Sequence, residues 1–319
     1  MSRLHILKEF DKRQLYRFFV DGRFYTREHG WEEYEKREPG SIEGMSLAYS
    51  YMLDNFDLKD GLSVKYICEL HNLIVSKINL QARKNRYPGQ IREFQVSFLL
   101  KPRTTSLEGL RELLKEQGLE NGLKEAKLNK YKSIEDVYER IQNGEDVRYR
   151  AIIGKLDDEL MKGFEERKPE GLYFKARKKI QLNLYKRLEN HVSEYNKKIN
   201  FFTNDEDKIY FIVDFVKNVV RLHPFVDGNA RVVTSILLNH IFLYHGFLPV
   251  IFEEPSITDA YTTSEILKEV VEGQKLTQLL LGNPHSKVFN HSIDDESEEH
   301  HNKILDLMSN MINKLKSME

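Results

Sequence analysis

Apolar residues recur three and four positions apart along most of the chain, the spacing that puts them on one face of a helix. Residues 41–53 carry Leu47, Ala48, Met52 and Leu53, and Ser41 after Pro39-Gly40 is placed to cap that helix. Residues 62–78 carry Val64, Ile67, Cys68, Leu70, His71, Ile74, Val75 and Ile78. A third stripe runs through Ile209, Phe211, Ile212, Phe215, Val216, Val219 and Val220. Residues 232–243 are apolar nearly all round, which predicts a buried helix, ended by His245-Gly246 and Pro249. Further helices are expected over 257–267 and 270–281. A last amphipathic one carries Ile304, Leu305, Leu307, Met308, Met311, Ile312 and Leu315. Period-two alternation occurs in one place. After the turn formers Pro88-Gly89, the β-formers Ile91, Phe94, Val96 and Phe98 predict a small hairpin. The fold class is therefore all-α with one β-hairpin.

Between these elements lie three less regular stretches. Residues 1–40 scatter Phe18, Phe19, Phe24, Tyr25, Trp31 and Tyr34 among charges, as a structural cap or a partner-binding arm would. Residues 101–175 are charged and mostly helical, broken at Gly118, Gly122, Asn143-Gly144 and Lys168-Pro169; they read as a target-selecting accessory or a spacer. Residues 285–301 are polar and acidic. His300 and His301, being adjacent, do not share a helical face, so a solvated linker is expected rather than a metal site.

Composition narrows the function classes. A chain of 319 residues with 40% hydrophobic residues can bury a real core, and 31% charged residues fit a soluble protein. A formal net charge of -1 gives no basic footprint for nucleic acid. The single cysteine, Cys68, allows neither a disulfide framework nor a cysteine zinc site. No apolar run reaches membrane-spanning length, and the first residues lack a signal region. A soluble protein working in a cytoplasm is expected.

The densest chemistry sits between the third stripe and the buried helix: His223, Pro224, Phe225, Val226, Asp227, Gly228, Asn229, Ala230 and Arg231. Pro224 ends the first helix at His223. Phe225 would plug the loop to the core, Gly228 permits a tight backbone, and Asn229 can cap a helix beginning near Ala230. One base, one acid and one cation thus surround a helix N-terminus, whose unpaired N–H groups and positive dipole end suit phosphate.

These nine residues resemble the signature of Fic-domain proteins, HPF-x-(D/E)-G-N-(G/K)-R, and depart from it at Ala230. The resemblance implies a Fic-like helical core and transfer of AMP from Mg²⁺-ATP to a Ser, Thr or Tyr hydroxyl of a target protein. His223 would be the general base, Asp227 the Mg²⁺ ligand, and Gly228, Asn229 and Ala230 the phosphate cradle. Arg231 would bind the β-phosphate. Ile91, Arg92, Glu93, Phe94, Gln95 and Val96 resemble the family's flap, a hairpin whose edge would hold the target by β-augmentation. Glu43, in Ser41-Ile42-Glu43-Gly44, resembles the end of the family's inhibitory segment, although Pro39 stands where a hydroxyl residue belongs. Glu108 fits that pattern after Thr104 but reads as a helix-start acid. Loosely, the Tyr261 region resembles the nucleotide-base side.

On this reading residues 1–40 are a helical cap, 41–100 the first part of the core with the flap, 101–175 a helical insertion, 176–284 the catalytic core, and 285–319 a linker with the C-terminal helix. Many nucleotide-transferring members carry a second arginine, the γ-phosphate contact, where this chain has Thr234. A different donor (UTP, GTP or a CDP-linked group) is therefore the alternative, with a non-catalytic Fic-fold binding module as a third reading. Family members act in their own cell or inside a host cell, and the oligomeric state is not legible.

Overall fold

The computed structural model describes residues 6–10, 12–20, 30–78, 87–94, 96–116, 131–151 and 170–283, together with Phe24, Thr26, Asp306, Ser309, Asn310, Asn313 and Lys314. Among these the fold is all-α with one pair of strands. After a single helical turn at Ile6–Glu9 and a 3-10 segment at Lys12–Phe18 come helices α1 (Gly30–Arg37), α2 (Ser41–Asp54) and α3 (Val64–Lys77), then β1 (Val96–Leu100), α4 (Leu107–Glu116), α5 (Ile134–Gln142) and β2 (Val147–Ala151). The long α6 (Glu170–Lys198) and α7 (Asp205–Leu222) lead into the signature loop. A wide π turn over Arg231–Leu237 continues as α8 (Leu238–Tyr244), and α9 (Thr263–Gly282) completes the core. The expected linker over 285–301 lies outside the described residues, as does most of the C-terminal helix, of which Lys314 pairs with Asp54.

The helix starts are chemically specified. Ser63, Asn204 and Thr262 each accept a backbone N–H from the first turn of α3, α7 and α9, and Thr262 with Glu265 forms a full capping box. Helix α2 differs from expectation. Ser41 lies inside it and is buried, while the Glu35 carboxylate accepts the N–H groups of Gly40 and Ile42 at 2.5 and 2.9 Å. A carboxylate from the preceding helix satisfies two orphan donors at once, so the serine hydroxyl is not needed there. Helices α2 and α3 cross closely at Gly44, where a Cβ would stand 2.4 Å from the Ile74 carbonyl oxygen.

The main core gathers the apolar stripes of α2, α3, α6, α7 and α8 with the N-terminal aromatics Phe18, Phe19 and Trp31. A second, smaller core joins Leu110, Leu113, Val137, Ile141, Val147 and Tyr149 to Ala260. The inserted region therefore has its own apolar centre and is tied to the body at Ala260. Its strand β2 pairs antiparallel with β1, Phe98 opposite Tyr149, so the two strands are joined through α4 and α5 rather than by a tight turn. Ionic contacts add to that attachment. Lys217 and Arg221 on α7, with side chains 3% and 2% exposed, meet Glu112 and Glu116 of α4.

Candidate active site

The signature loop hangs between α7 and the π turn. His223 closes α7 in the left-handed region at φ 49°, and its N–H still bonds the Val220 carbonyl. A non-glycine residue there is held by its surroundings, and the clamp is Arg92. Arg92 is buried, donating from Nε to the His223 carbonyl at 2.5 Å and from the other guanidinium nitrogens to Phe94 and Leu222, while its N–H bonds the Pro224 carbonyl. Arg92 and the buried Ile91 thus sit under the loop, not on an edge open to a target. Glu93 pairs with Arg177, Phe94 packs edge-on near Tyr87, and Gln95 lies outside the described residues. The exposed strand begins only at Val96. The expected edge is displaced because Arg92's buried guanidinium needs carbonyl partners, and the turn before the strand supplies them.

Two other side chains shape the loop. Phe225 is fully buried and stacks on His71, ring centroids 3.9 Å apart. Nδ1 of His71 accepts the Gly89 N–H, which leaves Nε2–H to donate to the Asp227 carbonyl at 3.1 Å. Asn229 is neither the cap nor part of the anion cradle through its side chain. Its amide both accepts from and donates to the Phe225 backbone, at 3.0 and 2.9 Å, and is buried. It staples the loop shut, and Gly228 at φ +75° lets the chain turn into the helix that starts beside it.

The resulting cavity, about 660 Å³, is lined by His223, Asp227, Gly228, Asn229, Ala230 and Arg231. Val96, Ser97, Phe98, Leu99 and Lys101 form the strand side, Phe19 and Tyr34 the N-terminal side, and Glu254, Pro255, Ser256 and Asp259 the far wall. Phe98 stacks on the His223 ring at 4.8 Å and 10°. Burial, together with the Arg92 charge, lowers the His223 pKa to about 3, against an opposing pull from Asp227. Its imidazole is therefore neutral at pH 7 and able to accept a proton. Asp227 accepts the Gly228 N–H at 2.8 Å through Oδ1. Arg231 is bound by Glu38, which is 9% exposed and was not legible as a site residue. Glu43, the expected inhibitory acid, instead pairs with Lys77 at 3.0 Å and does not line the cavity. The turn at Gly40, in the left-handed region, and the buried Ser41 separate the two acids, so Glu38 points to Arg231 and Glu43 to α3.

Thr234 is fully buried in the π turn, its hydroxyl 3.1 Å from that of Thr258. The position expected for a second phosphate-binding arginine thus belongs to the core. Among the described residues no group of three His, Cys, Asp or Glu side chains is arranged to hold a metal. The single carboxylate of Asp227 fits a magnesium ion whose remaining ligands are phosphate oxygens and water.

The Fic/DOC family model matches residues 148–243, from β2 through α6, α7 and the signature to α8, the stretch that sets a base, an acid and an arginine on one loop between two buried helices. The chain carries that domain. Over 275 residues, 84% of its length, it is 27% identical to "Phosphocholine transferase AnkX" of Legionella pneumophila. It spans 28% of that protein's length. No helix among the described residues is long and apolar enough to cross a membrane.

Proposed function

We propose that the chain is a Fic-type transferase that moves phosphocholine from a CDP-linked donor to a hydroxyl side chain of a target protein. The supporting observation is Thr234, sealed into the core by Thr258 where ATP-using relatives place a γ-phosphate arginine. A diphosphate donor makes no demand on that position. The similarity to a phosphocholine transferase points the same way.

In this reading the target hydroxyl attacks the phosphorus that bears choline, and His223 takes its proton. The new bond joins the target oxygen to phosphorus, the P–O bond of the diphosphate breaks, and CMP leaves. Arg231, once released from Glu38, holds the leaving phosphate with its planar fork. The N–H groups at the start of the helix after Gly228 stabilise the charge that develops on the phosphoryl oxygens. Asp227 would hold Mg²⁺, which would neutralise charge across the two phosphates. The exposed strand β1 would receive the target segment.

AMP transfer from Mg²⁺-ATP is the second reading, favoured by the intact His223, Asp227, Gly228, Asn229 and Arg231 of the signature. The experiment is one assay with two donors. The chain is incubated with choline-labelled CDP-choline or adenine-labelled ATP, a protein lysate and Mg²⁺, alongside His223→Ala. Label on protein from CDP-choline, lost in the variant, supports the first reading. Label from ATP alone supports the second, and label from neither sinks both.

A further inference from the structure

Asp259 lines the cavity, yet neither the signature nor the transfer chemistry uses it. Its Oδ1 is buried and has no hydrogen-bond partner. A buried carboxylate oxygen left unpaired is costly, and such groups call for a reason. Burial raises the Asp259 pKa to about 7, with Arg221 and Lys101 pulling it down and Glu254 pushing it up. The backbone on both sides of Asp259 is held in place. Thr258 is bonded to Thr234, and Ala260 bridges Thr105 while its carbonyl accepts the Ser106 N–H at 3.1 Å. The carboxyl is thus preorganised beside Lys101 with unused acceptor capacity. Leu99, 39% exposed, and Pro255 line the same cavity and offer apolar faces suited to a flat ring.

Resting on the reading of this cavity as a nucleotide-donor site, we propose that Asp259 selects the donor's base. Its carboxylate accepts a hydrogen bond from an exocyclic amine, the 4-amino group of cytosine or the 6-amino group of adenine. It rejects the oxo group at the same place on uracil or hypoxanthine. Two acceptors facing each other in a desolvated cavity repel, and both stay unpaired. The ring N–H of an oxo base lies one atom away, and reaching it requires the ring to slide within the cavity. A site built around a donor discriminates strongly against analogues lacking it.

The test is calorimetric titration of the full chain at pH 8, above the Asp259 pKa of about 7, with CMP against UMP and AMP against IMP. In whichever pair binds, the amino member binds about tenfold or more tightly. Asp259→Asn narrows that ratio to within about threefold by weakening the amino member, since an amide can face either group. Asp259→Ser serves if the asparagine variant does not fold. Equal affinity within a pair for the unaltered protein overturns the proposal while leaving the donor-site reading standing. So does a ratio that survives in the folded variant. Failure of every nucleotide to bind overturns the donor-site reading itself, and this proposal with it.

Discussion

The ring of Phe98 lies flat against the imidazole of His223, 4.8 Å between centroids and 10° between planes. Strand β1 thereby covers the base that the reaction requires. The stack excludes water from the imidazole, and desolvation disfavours its charged form. Phe98→Ala should raise the His223 pKa from about 3 toward its ordinary value of 6.5. An NMR titration of the ring nitrogens reads this directly. A pKa that stays put would show that the depression comes from the rest of the burial and the Arg92 charge, not from Phe98.

The ion pair between Glu38 and Arg231 competes with any phosphate for the same guanidinium. Glu38→Gln should therefore tighten donor binding. A partly buried pair of this kind contributes about 1 kcal/mol, which corresponds to roughly fivefold in Kd. Calorimetry with CDP-choline and with ATP checks it. Unchanged affinity for the donor that binds would make Glu38 a structural partner of Arg231 and nothing more.

Helix α4 of the inserted region neutralises two buried cations of α7, Lys217 and Arg221, the latter two residues before His223. Replacing both Glu112 and Glu116 by Gln leaves the Arg221 charge buried, with the Tyr261 carbonyl still accepting at 2.7 Å. Breaking a fully buried pair costs about 3–5 kcal/mol, and because these carboxylates are one-third exposed the loss should be nearer 2–3 kcal/mol. Urea unfolding at constant m-value measures it. A loss under about 0.5 kcal/mol would show the cluster to be solvated in solution.

The helices, the buried spine and the loop were legible because apolar spacing and a Pro–Gly–Asn punctuation are local signals. Phe225 as a plug follows from the same logic and sits where that logic puts it, stacked on His71. The strand partner was not legible. Val96–Leu100 pairs with Val147–Ala151 across some fifty residues, and nothing in the alternation of one strand names a partner so distant. Arg92 was misplaced for a related reason. A charged side chain in a β-rich stretch reads as exposed, and only the converging carbonyls of His223, Leu222 and Phe94 explain its burial. Glu38 and Asp259 have no motif. Asp259 lines the cavity because the 3-10 segment Pro255–Thr258 ends just before it, and Glu38 reaches the site only through its ion pair with Arg231.

The buried titratable groups set the acid limb of stability. Burial lowers the pKa of His240 and His245 to about 4 and that of His223 to about 3, all from 6.5. His240 is held neutral between the Tyr66 hydroxyl at 2.8 Å and the Phe56 carbonyl at 3.0 Å. Below pH 6.5 the unfolded chain binds protons that these native imidazoles refuse, so stability falls as pH drops from 6.5 toward 4. Asp259 acts in the opposite direction. Its pKa, raised from 3.8 to about 7, means the native state holds a proton that the unfolded chain releases between those values. Burial also lowers the pKa of His191 and raises that of Glu269, so four histidines against two carboxyl groups leave a net rise in stability from pH 4 to 6.5. Thermal unfolding across that window should show Tm increasing with pH, and Asp259→Asn should steepen the slope by removing an opposing group. A flat profile, or a slope made shallower by that substitution, would mean these groups do not titrate as their burial requires.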